Sequence, residues 1–513
     1  MPVGWRVAAV VVAIALGSFL LPATSMDSQP TGPPTDALRG ARLPPIAEQS
    51  DGPNVVLITT DDQSPPDLRW MPRTRRLLGR QGTEMTAMLS PHPLCCPARA
   101  EILTGQYAHN NGVRSNAGPY GGYPALVDPA DTLPRWLAEV GYHTAVVGKF
   151  LNRFNPQRDG MPFGWEGFSV SVKSQLGYDA FRLYTNDRMV NYPRRKGAYS
   201  TDVITNQSLK LLRYWSGDGP EDRPFFLWTS YYAPHGVCGE GSCAEPPIPA
   251  PRHADVLAGT RSYAFAKDSF GVTPDDPNPI VEGRPVLSRP RAQRLFLERI
   301  RALQAVDEGV ARIVRVLRAT GELDDTVILF TSDNGYLVGE HGYAGKVLAY
   351  RESLEVPLLV RGPGVPAGET RDDTVTTVDL APTIVGLAGA SAGRQMDGRD
   401  LMPLLREGTP ERADTVLVQG GPQAVEKNPR PWLYRGVRTS RYTYARWGGG
   451  RPFHELYDRR RDPDETQNLA GLPAYAPVVR ELERRADVLL DCTGADDCFR
   501  TFGPVPAPLR DAG

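Results

Sequence analysis

Asn54-Val55-Val56-Leu57-Ile58-Thr59-Thr60, followed at once by Asp61-Asp62-Gln63, is where the architecture of this chain can first be read. The run is β-branched and apolar on both parities. A strand with one wet face alternates polar with apolar residues. A run that does not alternate reads as a strand buried on both faces, as in a parallel sheet covered by helices. The acidic pair then falls where the strand ends, and in open α/β sheets the carboxyl ends of the strands line the ligand crevice.

The same unit recurs along the chain. Asp131 to Val140 is expected to be helical, with Thr132 or Asp131 as cap and Gly141 as terminator. Tyr142 to Val147 then reads as a strand ending at Gly148-Lys149, and Phe225 to Tyr232 as another ending at Ala233-Pro234-His235. A long helix follows from Arg291 to Thr320, with Leu303, Val306, Val310, Ile313, Val314 and Leu317 on one stripe and Gly321 closing it. Thr326 to Phe330 is the next strand, ending at Thr331-Ser332-Asp333-Asn334-Gly335, and Val356 to Val360 follows it. Strands alternating with helices argue a parallel α/β sheet. Asp61/Asp62, Lys149, His235 and Asp333/Asn334 each stand directly after a strand, so they can converge on one edge. Any one of these clusters also reads as a solvated turn, where Asp and Asn are common. Four together point to a site.

From about residue 415 the pattern changes to Tyr434–Thr439 and Arg441–Ala445, which alternate like antiparallel strands, with an amphipathic helix expected over Val478–Leu490. The expected organisation is therefore a signal peptide over 1–25, a linker over 26–52, a catalytic domain over 53–410 and a smaller C-terminal α+β domain over 411–513. The signal reading rests on Arg6, the apolar run Val7–Leu21 and the small residues Ala23-Thr24-Ser25. A membrane anchor is the other reading, but the run is short of the ~20 residues a span needs. No stable membrane insertion is expected after cleavage, and the protein is expected to be secreted or otherwise extracytoplasmic. A formal net charge of −1 gives no reason to expect nucleic acid as a partner. In an oxidising setting Cys238 with Cys243, and Cys492 with Cys498, are close enough in sequence to close small disulfide loops, which leaves Cys95 and Cys96. The Pro-rich region 244 to 290 has few helix or strand signals and is expected to border the substrate mouth.

Cys95 and Cys96 open the stretch Pro93-Leu94-Cys95-Cys96-Pro97-Ala98-Arg99-Ala100-Glu101-Ile102-Leu103-Thr104-Gly105. Pro97 suits the first position of a helix. Cys95 would then lie just outside the helix N-terminus, where free N–H groups favour negative charge, with Arg99 one turn in. A cysteine in that field is a candidate nucleophile; a vicinal disulfide or a pair of buried thiols are the alternatives. Asp61, Asp62, Asp333 and Asn334 are hard oxygen donors, which suit Ca²⁺ or, less well, Mg²⁺ and not zinc. Three carboxylates meeting at one edge would repel one another without a cation.

C-x-P-x-R followed by A-x-I-L-T-G resembles the signature of the sulfatase family. So do Asn54 to Gln63, T-G-Q-Y-A-H-N, Gly148-Lys149, Pro234-His235, T-S-D-N-G, V-P-L-L-V-R-G-P-G and Glu455-Leu456-Tyr457-Asp458, in family order over about residues 52 to 470. The resemblance implies an alkaline-phosphatase-like α/β core: a large mixed, mostly parallel sheet sandwiched by helices, with an antiparallel sheet in the smaller domain. It implies that Cys95 is converted to formylglycine by a maturation enzyme. It implies calcium held by Asp61, Asp62, Asp333, Asn334 and the modified Cys95, with Arg99 and Lys149 steadying the aldehyde hydrate and His235 and Lys346 gripping the sulfate. One hydrate oxygen then attacks sulfur as the alcohol leaves, and the second hydroxyl expels sulfate. Cys96 and Gly148-Lys149-Phe150-Leu151-Asn152 are similar to the N-acetylglucosamine-6-sulfatase branch, which points to a sugar sulfate as substrate. The family has serine more often where Ala98 stands, and many members have histidine where Leu151 stands. Asn152 or His341 would cover that histidine's role, unless it is dispensable. His109 is near in sequence but is not assigned a role. The alternative is a phosphate or phosphonate ester hydrolase of the same superfamily; a silent glycan-binding protein with unmodified Cys95 is a third reading.

Overall fold

Asn54–Thr60 is strand β1, and all seven of its residues are buried. The structure, a computed structural model, describes residues 41–509 apart from 48, 173–176, 195–196, 219–222, 240–241, 409–413, 423–430 and 449–452, and apart from the side chains of 218, 239 and 242–244. The expected signal peptide, the first part of the linker and the 410/411 boundary lie outside the described residues. The end of the linker is docked rather than free. The Ala47 and Ser50 N–H groups donate to Glu139 O and Val140 O, both at 2.9 Å.

The remaining strands of the main sheet are β2 (Thr83–Met85), β3 (His143–Gly148), β4 (Gly167–Ser171), β5 (Phe181–Thr185), β6 (Arg188–Tyr192), β7 (Phe225–Ser230), β8 (Thr326–Ser332), β9 (Leu358–Arg361) and β10 (Glu369–Arg371). The ten strands run in the order β10-β2-β9-β8-β1-β7-β3-β4-β5-β6. The five central strands, β8-β1-β7-β3-β4, are parallel. β1 lies between β8 and β7, with Val56 level with both Ile328 and Leu227. The strand expected at 356–360 begins two residues later, after Pro357, and runs antiparallel to β8. Its pairing partner, not its own pattern, sets that direction.

Alternate residues of the central strands feed two cores, as the period-2 geometry of a strand requires. Val55, Leu57, Val146, Trp228 and Leu329 pack under helices α1 (Cys95–Thr104), α2 (Leu133–Glu139) and α5 (Leu380–Ala388). Val56, Ile58, Val147, Leu227 and Phe330 pack under α3 (Ser200–Arg213) and α4 (Arg289–Ala319). Each such large side chain, fully buried, contributes about 1.5–3 kcal/mol. This two-sided burial pins β1 and its neighbours, and therefore fixes the positions of the residues at their ends.

A second sheet is antiparallel: β11 (Val416–Gly420), β12 (Tyr434–Arg438), β13 (Tyr442–Trp447) and β14 (Phe453–Asp458), in that order, with α6 (Ala476–Leu489) against it. Its core takes in Leu89, Tyr107, Leu348 and Tyr350 from the larger part. The large mostly parallel sheet flanked by helices, with a separate antiparallel sheet, is the fold class expected from the sequence. Cys492 and Cys498 form a disulfide. Cys238 is disulfide-bonded as well, while the side chain of Cys243, its expected partner, lies outside the described residues.

Candidate active site

Helix α1 starts two residues earlier than its proline suggested. Leu94 is the N-cap, Cys95 and Cys96 are the first two helical residues, and Pro97 is the third. Pro97 loses nothing there, because the first-turn N–H groups have no partner inside the helix. The free Cys96 N–H is taken by Asn116 Oδ1 at 2.9 Å. All ten residues of α1 are buried, and Cys95 is 1% exposed.

The strand ends meet Cys95. The thiol lies 3.4 Å from Asp61 Oδ1 and accepts from Lys346 Nζ at 2.7 Å. The Lys149 ammonium pairs with Asp61 Oδ2 and the Lys346 ammonium with Asp62 Oδ1. Asn334 Nδ2 donates to Asp62 Oδ1 at 2.7 Å, and His235 Nε2 stands 3.7 Å from Asp62 Oδ2. Asp333 Oδ1 accepts the Asp62 N–H at 3.2 Å, while its Oδ2 pairs with Arg99 Nε at 2.8 Å. The structure thus brings Asp61, Asp62, Cys95, Arg99, Lys149, His235, Asp333, Asn334 and Lys346 into one knot.

Two backbone sites in this knot are strained. Asp62 has φ 72° and Val347, next to Lys346, has φ 81°. Such conformations are uncommon for any L-residue and exceptional for a β-branched one; they persist only where the surroundings over-determine them. At Asp62 the carbonyl is held by Arg299. At Val347 the N–H donates to Pro93 O at 3.1 Å, and the carbonyl accepts Tyr434 OH at 2.7 Å. Lys346 is thereby fixed from both the α1 side and the antiparallel sheet.

Burial and charge set the protonation states. Burial pushes Asp61 up, but Lys149, His235, Lys346 and Arg99 together hold it well below the usual carboxylate range. Burial and the Asp61 charge raise Asp333 to about 6, with Arg99 pulling against them. Cys95 is pushed up to about 11 by burial and by Asp61, although Lys149 and Lys346 pull it down. Desolvation therefore outweighs the helix terminus: as a plain cysteine this residue stays a neutral thiol. His235 is lowered to about 4 by burial. Its Nδ1 lies 2.7 Å from Gly236 O, which as a neutral ring assigns the proton to Nδ1 and leaves a lone pair on Nε2.

Repulsion among the three carboxylates turns out to be a weak argument for a cation, because Arg99, Lys149 and Lys346 already interleave with them. The donor set is the better test. Ligand atoms of Asp61, Asp62, Cys95 and His235 all lie within 4.8 Å of one another. Asn334 Oδ1 is buried with no partner, and such an orphan carbonyl is expensive without one. The carboxylates of Asp61 and Asp62, with this unsatisfied oxygen, can hold a metal ion.

Several neighbours were invisible in the sequence. Ser230 Oγ accepts from Arg99 Nη1 at 2.5 Å and donates to Lys149 O at 2.6 Å; Tyr178 OH donates to His235 O at 2.7 Å. Leu151 is buried in the core with Phe150 and Phe154. Among the described residues neither Asn152 nor His341 hydrogen-bonds the thiol of Cys95, which meets Asp61 and Lys346. His341 is stacked on Tyr350 at 3.7 Å with Glu352 beside it. The Asn152 backbone serves the Cys96 thiol instead. His109 donates its Nε2–H to Cys492 O at 2.9 Å and so ties itself to the C-terminal disulfide loop. From 246 to 288 the chain is irregular apart from short helical turns, and it is laced to the loop before Lys346 by Gly271 N–H to Gly339 O at 2.9 Å.

Comparison with known proteins bears on this knot. A family model described as Sulfatase matches residues 53–390, and one described as N-sulphoglucosamine sulphohydrolase, C-terminal, matches residues 339–490. The N-acetylglucosamine-6-sulfatase of Homo sapiens is 30% identical over 494 residues, covering 88% of this chain and 86% of that protein. An extracellular sulfatase, a Sulf-1 homolog of Caenorhabditis elegans, is 32% identical over 72% of this chain, which spans about half (52%) of that relative. A protein solved in complex with its substrate D-glucosamine-2-N,6-O-disulfate has the same fold, with a TM-score of 0.70 at 22% identity over 85% of this chain and 97% of its own. Among the described residues no helix is long and apolar enough to cross a membrane.

Proposed function

The chain belongs to the sulfatase family, and from that premise we propose that it is an exported hydrolase of sulfate esters whose substrate is a sulfated sugar. The observation that carries this reading is the convergence of Asp61, Asp62, Lys149, His235, Asp333 and Lys346 on the buried Cys95. The human and worm relatives support the sugar and the export, as does the apolar run Val7–Leu21.

Asp61, Asp62, Asp333, Asn334 and residue 95 would hold a calcium ion, and a maturation enzyme would convert Cys95 to formylglycine. When present, the ion supplies Lewis acidity to a sulfate oxygen and the aldehyde hydrate supplies the attacking oxygen. The chain's own residues do the rest. Arg99, fully buried, has Nη2 without a partner and keeps it as a donor for residue 95. Lys149 holds Asp61 ionised. Lys346 places a fixed positive donor where negative charge grows on the leaving oxygen. His235, neutral with a lone pair on Nε2, can accept there a proton released by the attacking hydroxyl. The burial of the whole knot excludes bulk water and strengthens each of these charges.

The test is a parallel assay on the sulfate and phosphate esters of one phenol and on N-acetylglucosamine 6-sulfate, with peptide mass spectrometry across residue 95. Sulfate ester hydrolysis well ahead of phosphate, by protein carrying the lighter formylglycine residue, is expected. Preference for phosphate, or full activity with Cys95 unmodified, would overturn the reading.

A further inference from the structure

Beside the reactive knot stands a group of cations that the chemistry above does not use. Arg114 lies over the Trp432 indole at 4.7 Å and over Tyr120 at 5.3 Å; Arg435 lies over the same indole at 4.6 Å. Among the described residues the Arg114 guanidinium makes no hydrogen bond and no ion pair, and its Nε is buried without a partner. Arg435 reaches Leu490 O, but its Nε is also buried and unpartnered, and Asp491, at 3.8 Å, is a nearly fully exposed carboxylate. Burial, together with repulsion from Arg114 and Arg446, brings Arg435 down to about 10. Two half-buried guanidiniums sharing one ring, with no buried anion between them among the described residues, are costly to assemble unless an anion joins them. Planar donors with free N–H edges match a carboxylate or a sulfate.

This group is tied to the reactive centre from three sides. Asn116, two residues from Arg114, accepts the Cys96 N–H. Tyr434, next to Arg435, holds the carbonyl of Val347, and Val347 in turn bonds Pro93, two residues before Cys95. His92, three residues before Cys95, accepts the Gly421 N–H at 3.0 Å and sits 6.2 Å from Trp432. Two residues of chain span at most about 7 Å, and an arginine side chain adds further reach towards a sugar whose ester lies at Cys95.

We infer that Arg114 and Arg435, braced on Trp432, form an oxyanion subsite that takes a second acidic group of the sugar substrate, a carboxylate or a second sulfate. This rests on the sulfatase reading and goes beyond it, since it makes the natural substrate a sugar carrying two negative groups.

The ratio of kcat/KM for glucosamine carrying both N- and 6-O-sulfate to that for N-acetylglucosamine 6-sulfate measures the subsite, and a 6-sulfated sugar linked to a uronate tests the carboxylate source. Wild type should favour a doubly charged sugar at least tenfold, through KM. Arg114→Gln and Arg435→Gln should each cut that preference at least fivefold, and 0.5 M salt should cut it in wild type, which covers the case of a variant that does not fold. A wild-type preference under twofold, or a preference untouched by a folded Arg114→Gln protein, overturns the subsite and leaves the sulfatase reading standing. If no sulfate ester is hydrolysed, the sulfatase reading falls instead. The subsite is then judged by calorimetric binding of the disulfated sugar to Cys95→Ala protein, with and without Arg114→Gln, and equal affinities overturn it.

Discussion

Two buried groups of carboxylates in this molecule are handled in opposite ways. At the edge of the large sheet, Asp61 and Asp62 are kept ionised by ammonium and guanidinium groups. In the antiparallel sheet, Glu455 is just as buried but meets only neutral donors: Asn278 Nδ2 at 3.1 Å, Trp447 Nε1 at 2.5 Å, Tyr457 OH at 2.9 Å and Tyr350 OH at 3.2 Å. Burial raises Glu455 despite these bonds. The first arrangement stores charge where a reaction can use it. The second ties β14 to Tyr350 and Asn278 in the larger part. Burial alone therefore does not mark a site; burial with uncancelled chemistry does.

The sharpest way to break this contrast is at Cys95. Cys95→Ala should lower turnover of a sulfate ester by more than about 10⁴-fold, as loss of a covalent nucleophile does. Its melting temperature should stay within a few degrees of wild type. Near-normal turnover would strip the charged knot of its assigned role.

Next comes Asp333→Ala, which leaves Arg99 buried without its carboxylate. The expected cost is about 3–5 kcal/mol in denaturant unfolding, with loss of bound calcium by atomic absorption. Unchanged calcium content would separate Asp333 from the metal set.

The smallest effect belongs to the neutral cluster. Glu455→Gln should cost only about 1 kcal/mol near pH 4, because a neutral carboxyl is replaced by a neutral amide. The sign of its pH dependence is fixed. A carboxyl whose folded pKa is raised contributes stability in full below the ordinary glutamate value of 4.5 and loses it as pH rises towards the folded value. Glu455→Gln should therefore gain on wild type as pH climbs from 4.5, by up to about 1.4 kcal/mol per pH unit. Asp61, whose folded pKa is depressed, gives the reverse: stability present above the ordinary aspartate value of 3.8 and lost below it. Parallel pH profiles for Glu455→Gln and wild type would erase the distinction.

Legibility in the sequence followed the same divide. Asp61, Lys149, His235 and Asp333 could be found because each interrupts an apolar run at its end, and strand ends in such sheets share an edge. Ser230 and Tyr178 could not, since a serine closing Phe225–Ser230 or a tyrosine in a loop carries no local signal of what it will face. β2, β9 and β10 are three or four residues long, too short for a period, and only pairing with distant strands gives them a direction. β11 follows the change of pattern near residue 415, but its three apolar residues before Gln419 are too few to announce a strand. The desolvation around Cys95, which outweighs the pull of the helix end on the thiol, is likewise absent from the local sequence. Arg114 and Trp432 were overlooked because a lone arginine and a lone tryptophan far apart in sequence announce no contact.

The near-complete enclosure of residue 95 also constrains when the protein can be made ready. A side chain 1% exposed, at the head of a helix with every residue covered, cannot be threaded into another enzyme's cleft without unpicking the surrounding sheet. If a maturation enzyme converts this thiol, as proposed above, the open nascent polypeptide offers it and the closed fold does not. Yield of competent protein then becomes a race between tailoring and collapse, and a host that folds this chain faster than it tailors it will accumulate a well-formed but inert product.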